Sequence, residues 1–421
     1  MNFIDLFAGA GGLSEGFIRA GFTPIAHVEM DKAACYSLRT RTAYHYLKAN
    51  NQYSIYVSYL RGEISREKLY KEIPDEVKSS IINLPVGPEH NETIHKTIKS
   101  LLGKQKVDLI IGGPPCQAYS LAGRSRSATK MEGDPRNYLF VEYANYLAFY
   151  KPKMFVFENV LGLKSAKRGF YLEQMEKLFL DRGYKMKLFT VEANNFGVLQ
   201  RRRRVIIIGW KKDLNLEIPN LEEVKHQTKS TVADVLVDLP VLLAGAGIDK
   251  YQAYAGDTNQ YLINNCIRNG IDVLTQHISR PHNQQDKKIY RIAIKKWKRS
   301  GERLNYNDLP DELKTHNNRT SFFDRFKVVA DDLPYSQTVV AHIAKDGHYY
   351  IHPDIKQIRS LTVREAARLQ SFPDDYYFEG VKPSDIKRKL SFNRTAAFKQ
   401  IGNAVPPLMA YAIAKSIMKI L

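Results

Sequence analysis

Residues 3–20 read FIDLFAGAGGLSEGFIRA, and they contain the first strand, turn and helix signals of the chain. Its first five residues form a short apolar run, which breaks into the glycine-rich segment Ala8–Gly12 and continues as a helix-like stretch over Leu13–Ala20. Ile25–Glu29 then predicts a second strand and Asp31–Thr42 a second helix. The chain therefore opens on a strand, a glycine turn and a helix that lead into another strand, which is the βαβ unit of a parallel sheet.

Four further apolar runs follow, with helical stretches between several of them. They lie at Val107–Ile111, Met154–Phe157, Lys187–Val191 and Val205–Gly209. Short apolar runs that alternate with helices predict an α/β fold, in which a mostly parallel sheet carries helices on both faces. Residues 48–105 hold no strand bounded by turn residues, and we interpret them as a polar insertion of helices or loops.

The alternation stops after Trp210, and the chain divides there. We predict a catalytic domain over residues 1–210 and a smaller, irregular second lobe over residues 211–354. Part of that lobe, residues 281–330, carries 12 basic and 6 acidic residues interleaved with aromatic ones. Residues 355–421 form a third segment with helical stretches of its own.

The balance of charge points to a polyanionic partner. Lys and Arg number 63 against 44 Asp and Glu, which gives a formal net charge of +19. Such a surface releases counterions when it neutralises a polyanion, so nucleic acid is the first partner to test. A basic protein without such a partner explains the charge equally well. With 44% hydrophobic and 11% aromatic residues, the chain is expected to fold rather than to remain disordered.

Cysteine usage and hydropathy indicate the compartment. The three cysteines, Cys35, Cys116 and Cys266, are an odd number without a C-x-x-C spacing, which argues against a disulfide framework and a structural zinc site. The first residues lack the basic stretch of a signal peptide, and no apolar run approaches the roughly 20 residues of a membrane span. We therefore expect a cytoplasmic protein that binds neither a metal nor a membrane.

The glycine turn after the first strand has the features of a ligand site. Gly9 and Gly11 allow a close approach of the backbone to a ligand, and Glu29 at the end of the next strand suits a ribose diol. Ser14 stands where the dinucleotide fingerprint G-x-G-x-x-G has its last glycine, so a nucleoside without a pyrophosphate fits better than NAD or FAD. A plain tight turn remains the alternative.

Two later strands end in residues that carry chemistry. Val107–Ile111 runs into Gly-Gly-Pro-Pro and then Cys116, a position where open α/β sheets place reactive groups, so Cys116 is predicted to be a nucleophile. A structural thiol is the alternative, and it is our interpretation of the other two cysteines. Met154–Phe157 leads into Glu158, which can exchange a proton with a ring nitrogen. A helix N-cap formed by Asn159 is the alternative for that segment.

Four consecutive arginines run directly into an apolar strand. Because side chains alternate between the faces of a strand, Arg202 and Arg204 share one face and the other two arginines share the opposite one. One pair can then line a cleft and bind phosphate or a base carbonyl. A solvated run of charge is the alternative.

In order and content these segments resemble the motifs of the DNA cytosine-carbon-5 methyltransferase family, of the prokaryotic restriction-modification type. The matching segments are residues 3–17 (first motif), Pro114–Gln117 (catalytic loop), Glu158–Val160 (catalytic acid), Gln200–Arg204 (arginine motif), Thr362–Pro373 (the helix that supports the recognition domain) and Gln400–Pro407 (last motif). The resemblance implies a Rossmann-like fold dependent on S-adenosylmethionine, with residues 211–354 as a small, irregular target-recognition domain and residues 355–421 returning to the catalytic domain.

The resemblance also assigns the cofactor site. It implies that S-adenosylmethionine is held by Phe7, Gly9, Gly11, Leu13, Pro114, Asn403 and Val405. Glu29 would bind the ribose and Met30 would contact the adenine. The family's third motif, whose Asp contacts the adenine amino group, is not found between residues 43 and 106, so that contact stays unassigned.

The family's reaction implies roles for the remaining residues. Cys116 would add to carbon 6 of a cytosine that has flipped out of the duplex, and Glu158 would protonate or hydrogen-bond the ring nitrogen. Arg204 would hold the carbonyl of the base, while Arg202 would position the catalytic loop and its phosphates. The implied partner is double-stranded DNA. The resemblance also implies a functionally paired restriction endonuclease, a monomeric enzyme and a location in the bacterial cytoplasm or nucleoid.

Three other functions compete with this interpretation. A regulator that keeps the fold without turnover is disfavoured because the Cys, Glu and Arg positions are intact. A transfer-RNA methyltransferase of the same fold usually has a shorter variable region than residues 211–354. A methyltransferase of adenine or cytosine amino groups would have an acidic or Asn residue before Pro-Pro and an aromatic after it, where this chain has Gly113 and Cys116.

Overall fold

The structure is a computed structural model, and it describes residues 1–115, 138–214, 216–320, 322–382 and 391–421. In these ranges the strands are β1 Asn2–Leu6, β2 Thr23–Val28, β3 Ile81–Ile82, β4 Leu109–Gly112, β5 Met154–Asn159, β6 Tyr184–Glu192, β7 Arg203–Lys211, β8 Gly247–Ile248 and β9 His277–Ile278. The α-helices are α1 Gly12–Arg19, α2 Lys32–Ala49, α3 Tyr53–Arg61, α4 Arg66–Lys71, α5 Asp75–Ser79, α6 Pro88–Leu102, α7 Leu139–Tyr150, α8 Phe170–Asp181, α9 Gln260–Asn264, α10 Gln284–Ser300, α11 Val363–Leu369, α12 Ser391–Asn403 and α13 Pro407–Met418.

The first seven strands form one sheet in the order β3-β2-β1-β4-β5-β7-β6. Neighbouring strands are parallel except where β7 pairs with β5 and with β6. One face of the sheet packs against α6, α7 and α8, and the other packs against α1 and α13. The predicted α/β fold is confirmed, and each predicted strand is present with its ends shifted by at most three residues.

Two glycines of α1 allow the C-terminal helix to lie directly against it. A Cβ on Gly12 would come within 2.2 Å of the carbonyl oxygen of Val405. A Cβ on Gly16 would lie 2.4 Å from the Cβ of Ala410, far inside van der Waals contact. The C-terminal segment therefore returns to the first βαβ unit through a contact that only glycine permits.

The prediction of an insertion without strands over residues 48–105 is wrong in its second half. Strand β3 pairs with His27 and Val28 at the edge of the sheet, and helix α6 buries Ile94 and Ile98 beneath it. Both elements therefore belong to the sheet and its helical layer. The inserted part is the three short helices α3, α4 and α5.

Those inserted helices form hydrogen bonds with the segment that follows α11. The Tyr56 hydroxyl donates to the carbonyl oxygen of Asp375 at 2.7 Å, and Arg66 donates to the carbonyl oxygen of Gly380 at 2.9 Å. Tyr56 is fully buried, and it lies in an apolar cluster with α2. Because each bond joins residues more than 300 positions apart, the insertion holds two distant parts of the chain together.

Residues beyond β7 form a lobe of short elements around α10. Its core contains Ile289 and Ile294 from α10 together with Tyr306 and Phe326. Tyr290 is also fully buried. Several aromatic residues of the basic stretch 281–330 are thus core residues rather than surface groups that could stack on bases.

Candidate active site

The predicted site residues come from strand ends that meet along one edge of the sheet. Strands β1, β2, β4 and β5 are parallel, so their carboxyl ends lie on the same side. Because β7 runs antiparallel to β5, its amino end reaches that side as well. Ligands of open α/β sheets bind at this edge, where the strand order reverses between β1 and β4.

Glu158 and Arg204 form an ion pair at this edge. Arg204 Nε lies 2.8 Å from Glu158 Oε1, and the two side chains are 15% and 13% exposed. Glu158 pairs with Ile206 across the sheet, and Arg204 lies two residues before Ile206 on the same face of β7. The sheet register therefore places a carboxylate and a guanidinium together, largely but not completely shielded from water, so that both can still contact a ligand.

The turn after β4 lies against that pair. A Cβ on Gly113 would come within 2.9 Å of Glu158 Oε2, and the Asn159 side-chain amide donates to the carbonyl oxygen of Pro114 at 3.3 Å. A side chain at residue 113 would therefore press on the carboxylate and shift it from its present position. The alternative interpretation of Asn159 as a helix N-cap is wrong, since its side chain bonds to this turn and to its own neighbour Val160. Cys116 lies outside the described residues.

The arginine run alternates between faces as expected. Arg202 is fully buried and Arg204 is largely buried, whereas the other two arginines are exposed. The predicted phosphate contact of Arg202 is wrong, because its guanidinium donates to the carbonyl oxygens of Val339 at 2.8 Å and Gly402 at 3.1 Å inside the protein. Arg202 is a positioning residue that ties the start of β7 to the second lobe and to the C-terminal segment.

The glycine turn and Glu29 are joined by hydrogen bonds. Glu29 Oε2 accepts from the Gly9 amide at 2.8 Å, and its Oε1 accepts from the Asp31 amide at 2.7 Å. Phe7, Gly9 and Gly11 adopt left-handed backbone angles, with φ of 58°, 56° and 77°. A Cβ on Gly9 would meet no atom within 4 Å, so the turn is open above that residue. Burial raises the pKa of Glu29.

The other predicted cofactor residues differ in how they face this turn. The Leu13 side chain is 5% exposed and packs in the core, which leaves only its backbone for a ligand. Val405 lies at the turn, because its carbonyl oxygen borders Gly12. Asn403 is exposed at the end of α12, and Pro114 is buried beside Asn159.

Asn83 is a candidate site residue that the sequence did not reveal. It follows β3, and its side-chain amide donates to the carbonyl oxygens of Glu29 at 3.1 Å and Met30 at 3.0 Å. Met30 is 68% exposed beside it. The only sequence signal for this position was the apolar pair Ile81–Ile82 followed by a polar residue. Two residues are too few to show the alternation of a strand. Asn83 lies within residues 43–106, the range in which the family's third-motif Asp was not found.

These groups suit a nucleoside. Four groups lie at this edge of the sheet: the open glycine turn, the Glu29 carboxylate fixed by backbone amides, the exposed Met30 thioether and the Asn83 carboxamide. The carboxylate can bind a sugar diol, and the thioether and the carboxamide can contact the face and the edge of a base. In the described ranges, no group of three or more His, Cys, Asp or Glu side chains could hold a metal ion. Nor is any helix in those ranges long and apolar enough to cross a membrane.

Fold and site together define a methyltransferase of the α/β class. The family model described as C-5 cytosine-specific DNA methylase matches residues 1–55 and 82–419, and the chain belongs to that family. The unmatched residues fall on the inserted helices α3 to α5. The protein is accordingly a DNA cytosine-5 methyltransferase that acts in a sequence-specific manner, and the predicted family and activity are confirmed.

Curated relatives agree with this family, and a solved structure agrees with the fold. The Type II methyltransferase M.Bpa9945I of Bacillus paralicheniformis is 42% identical over 455 aligned residues, which cover 100% of this chain and 99% of that protein. M.DdeI, a Type II methyltransferase of Desulfomicrobium norvegicum, is 32% identical and covers 99% of this chain and 88% of its own. A DNA modification methyltransferase encoded within an E. coli prophage shares the fold, with a TM-score of 0.64 at 24% identity over 100% of this chain and 99% of that one.

Proposed function

We propose that the protein uses S-adenosylmethionine to methylate carbon 5 of a cytosine flipped out of duplex DNA, through a transient covalent bond between that base and Cys116. The observation that carries this proposal is the Glu158–Arg204 pair, which lies directly against the turn that leads into Cys116. A polarised ring and a thiol at one strand edge are what addition to cytosine requires.

The glycine turn supplies the residues that would hold the cofactor. Glu29 would accept hydrogen bonds from the ribose hydroxyls, Met30 would pack on the adenine, and Asn83 would offer its Oδ1 to the adenine amino group. Backbone and side-chain contacts come from the other residues around the turn: Phe7, Gly9, Gly11, Leu13, Pro114, Asn403 and Val405. When bound, S-adenosylmethionine supplies an electrophilic methyl group on a positively charged sulfur.

The protein's own residues make the base reactive. The Cys116 thiolate forms a bond to carbon 6, while Glu158 gives a proton or hydrogen bond to ring nitrogen 3 and Arg204 holds the carbonyl oxygen. Electron density then accumulates at carbon 5, which becomes the nucleophile. Carbon 5 takes the methyl group as the bond between that methyl and the cofactor sulfur breaks, which leaves a neutral thioether. Water then accepts the carbon 5 proton, any proton gained by nitrogen 3 returns to Glu158, and the bond from carbon 6 to sulfur breaks. The aromatic ring is restored and the Cys116 thiolate is released.

The rest of the chain would select and present the base. Residues 211–354 are proposed to be the target-recognition domain, between the catalytic domain 1–210 and the returning segment 355–421. Carbon 6 cannot be reached inside a duplex, so the cytosine must leave the stack at a cost of a few kcal/mol. We also propose that the enzyme acts as a monomer in the bacterial cytoplasm, paired in function with a restriction endonuclease.

Bisulfite sequencing of DNA from cells that express the protein tests this function. Methylation at carbon 5 protects cytosine from conversion, so protected cytosines should recur within one short sequence. Hydrolysis of the same DNA to nucleosides should yield 5-methylcytosine as the added modification. Methyl groups found instead on the amino group of cytosine or adenine would contradict the roles given to Cys116 and Glu158.

Replacing Asn83 with Ala should weaken cofactor binding. Removal of the adenine acceptor is expected to raise the KM for S-adenosylmethionine about tenfold, the equivalent of one hydrogen bond of roughly 1.4 kcal/mol, with kcat within about twofold. Asn83→Asp keeps an acceptor oxygen but cannot donate to the carbonyl oxygens of Glu29 and Met30, so it should recover only part of the loss. Asn50→Ala is the matched control, because that exposed Asn also donates to a backbone carbonyl but lies outside the site. Equal KM values for the Asn83→Ala variant and the unaltered enzyme would refute the assignment.

A further inference from the structure

Helix α10 carries a row of cations on its outer face. We call Lys288, Arg291, Lys295 and Arg299 the α10 cation row. All four side chains are exposed. Within the part of the chain that the structure describes, none of them makes an ion pair or a side-chain hydrogen bond. The helix as a whole has seven basic residues and a single acidic one.

The row lies opposite the buried face of the helix. Ile289, Tyr290, Ala293 and Ile294 are the buried residues, and they pack into the core of the second lobe. At about 100° per residue, the four cations fall within an arc of about 80°, centred on the side away from that core. Packing of the buried face sets the position of the helix, and the row therefore points away from the core.

Two other cations of the same helix are neutralised by carboxylates. Lys296 lies 3.5 Å from Asp308, and Lys298 lies 2.7 Å from Asp331. In contrast, members of the α10 cation row follow one another at spacings of three or four residues, where like charges repel and destabilise a helix. An unrelieved row of this kind suits an external polyanion, which would relieve the repulsion.

The chain connects this helix to the active-site edge by a short segment. Lys298 bonds to Asp331, and the Thr338 hydroxyl donates to the carbonyl oxygen of Arg201, next to the arginines at the site. Asp331 and Thr338 are seven residues apart, which limits their separation to about 25 Å. One turn of B-DNA is longer, about 34 Å. The carboxyl end of α10 is therefore within reach of duplex that extends from the active site.

We propose that the α10 cation row binds the phosphate backbone of DNA that flanks the target base, fixing the position of the enzyme without reading the sequence. The inference rests on the proposed function only in taking duplex DNA as the substrate. From first to last cation the row covers about 17 Å of helix, which matches about five phosphates of one strand. Phosphate contacts of this kind set register and affinity, whereas base contacts set specificity.

The test compares two charge-matched variants. The first carries Lys288→Gln, Arg291→Gln, Lys295→Gln and Arg299→Gln. The control changes four exposed lysines near the opposite edge of the sheet to Gln: Lys104, Lys106, Lys185 and Lys212. Gln has nearly the helix propensity of Lys and Arg, so α10 should remain folded, which circular dichroism and the thermal midpoint check. Affinity for a duplex containing the methylated sequence is then measured between 50 and 200 mM salt.

The α10 variant should bind DNA with a much weaker dependence on salt. The slope of log affinity against log salt is expected to fall by about 3 to 4, and Kd at 0.1 M salt to rise by on the order of tenfold or more. The control should keep the slope of the unaltered enzyme. Bisulfite sequencing should find the same cytosine methylated by all three proteins, because the row does not read bases. Trimming the duplex on the flank that α10 contacts should lower the slope of the unaltered enzyme but not that of the α10 variant.

Several outcomes would overturn the proposal. An unchanged slope in the α10 variant would mean that the row does not contact DNA. The same conclusion would follow if that variant kept its affinity for DNA and lost binding only to another anionic surface, such as phosphatidylserine vesicles. Equal falls in both variants would show a general effect of net charge. A shift of methylation to a different sequence would make α10 a reader of bases. Failure of the proposed function looks different, because the unaltered enzyme would then leave DNA without 5-methylcytosine.

Discussion

Replacing Cys116 with Ser is expected to lower methyl transfer by on the order of 10³-fold or more, while affinity for DNA stays within about twofold. A cysteine thiol has a pKa of about 8.5 and yields a useful fraction of thiolate near neutral pH, whereas a serine hydroxyl stays protonated. Serine is nearly the same size, so the packing around residue 116 should tolerate it. The measurement is incorporation of labelled methyl groups into DNA, alongside a DNA-binding titration.

The other cysteines provide the control for that experiment. Cys35 is buried, its thiol donates to the carbonyl oxygen of Glu29 at 3.2 Å, and burial raises its pKa to about 12, so it cannot serve as a nucleophile near neutral pH. Cys266 is exposed, and Cys266→Ser should keep full activity. Full activity of the Cys116→Ser variant, or loss of activity in the Cys266→Ser variant, would remove the assignment of the nucleophile.

Replacing Glu158 with Gln is expected to lower kcat by about 10² to 10⁴-fold, the usual contribution of a positioned acid or base. Gln fills the same space and keeps a hydrogen bond to the ring, but it cannot exchange the proton. Arg204 also loses the negative charge that Glu158 places 2.8 Å from its Nε, although the Gln amide oxygen can still accept a hydrogen bond there. Single-turnover rates at saturating cofactor and DNA isolate the chemical step.

A second carboxylate on the same sheet offers a matched control. Glu192 in β6 also pairs with arginines of the run, Arg203 and Arg201, but on the exposed side. Its two arginine partners are about half exposed, and an ion pair open to water contributes little, so Glu192→Gln should change the rate by less than about twofold. Similar losses in both variants would mean that charge balance in this sheet matters, rather than the placement of Glu158 at the site.

Much of the fold follows from the sequence because its strands are apolar runs that end in glycine or in polar residues. Strand β3 escaped prediction because two residues show no periodicity, and its identity depends on pairing with β2. Asn83 was missed for the same reason. The inserted helices are short and mixed in character, and they are fixed by contacts such as that of Tyr56 with Asp375, more than 300 residues away.

The site was predictable where it depends on strand order and not where it depends on distant contacts. The meeting of Glu158 and Arg204 follows from two apolar strands that each carry a charged residue at one end. The role of Arg202 did not follow, because alternation places it inward without saying what lies there. Only the fold brings the carbonyl groups of Val339 and Gly402 to its guanidinium.

The covalent bond between Cys116 and carbon 6 of the base can be trapped chemically. In duplex DNA with 5-fluorocytosine at the target position, carbon 5 has no proton to lose, and fluorine cannot leave as a cation, so the adduct cannot collapse. With S-adenosylmethionine present, the unaltered enzyme should become attached to this DNA one to one, and the attached peptide should contain Cys116. The Cys116→Ser variant should remain free. Absence of a complex with the unaltered enzyme, or attachment through any other residue, would contradict the account.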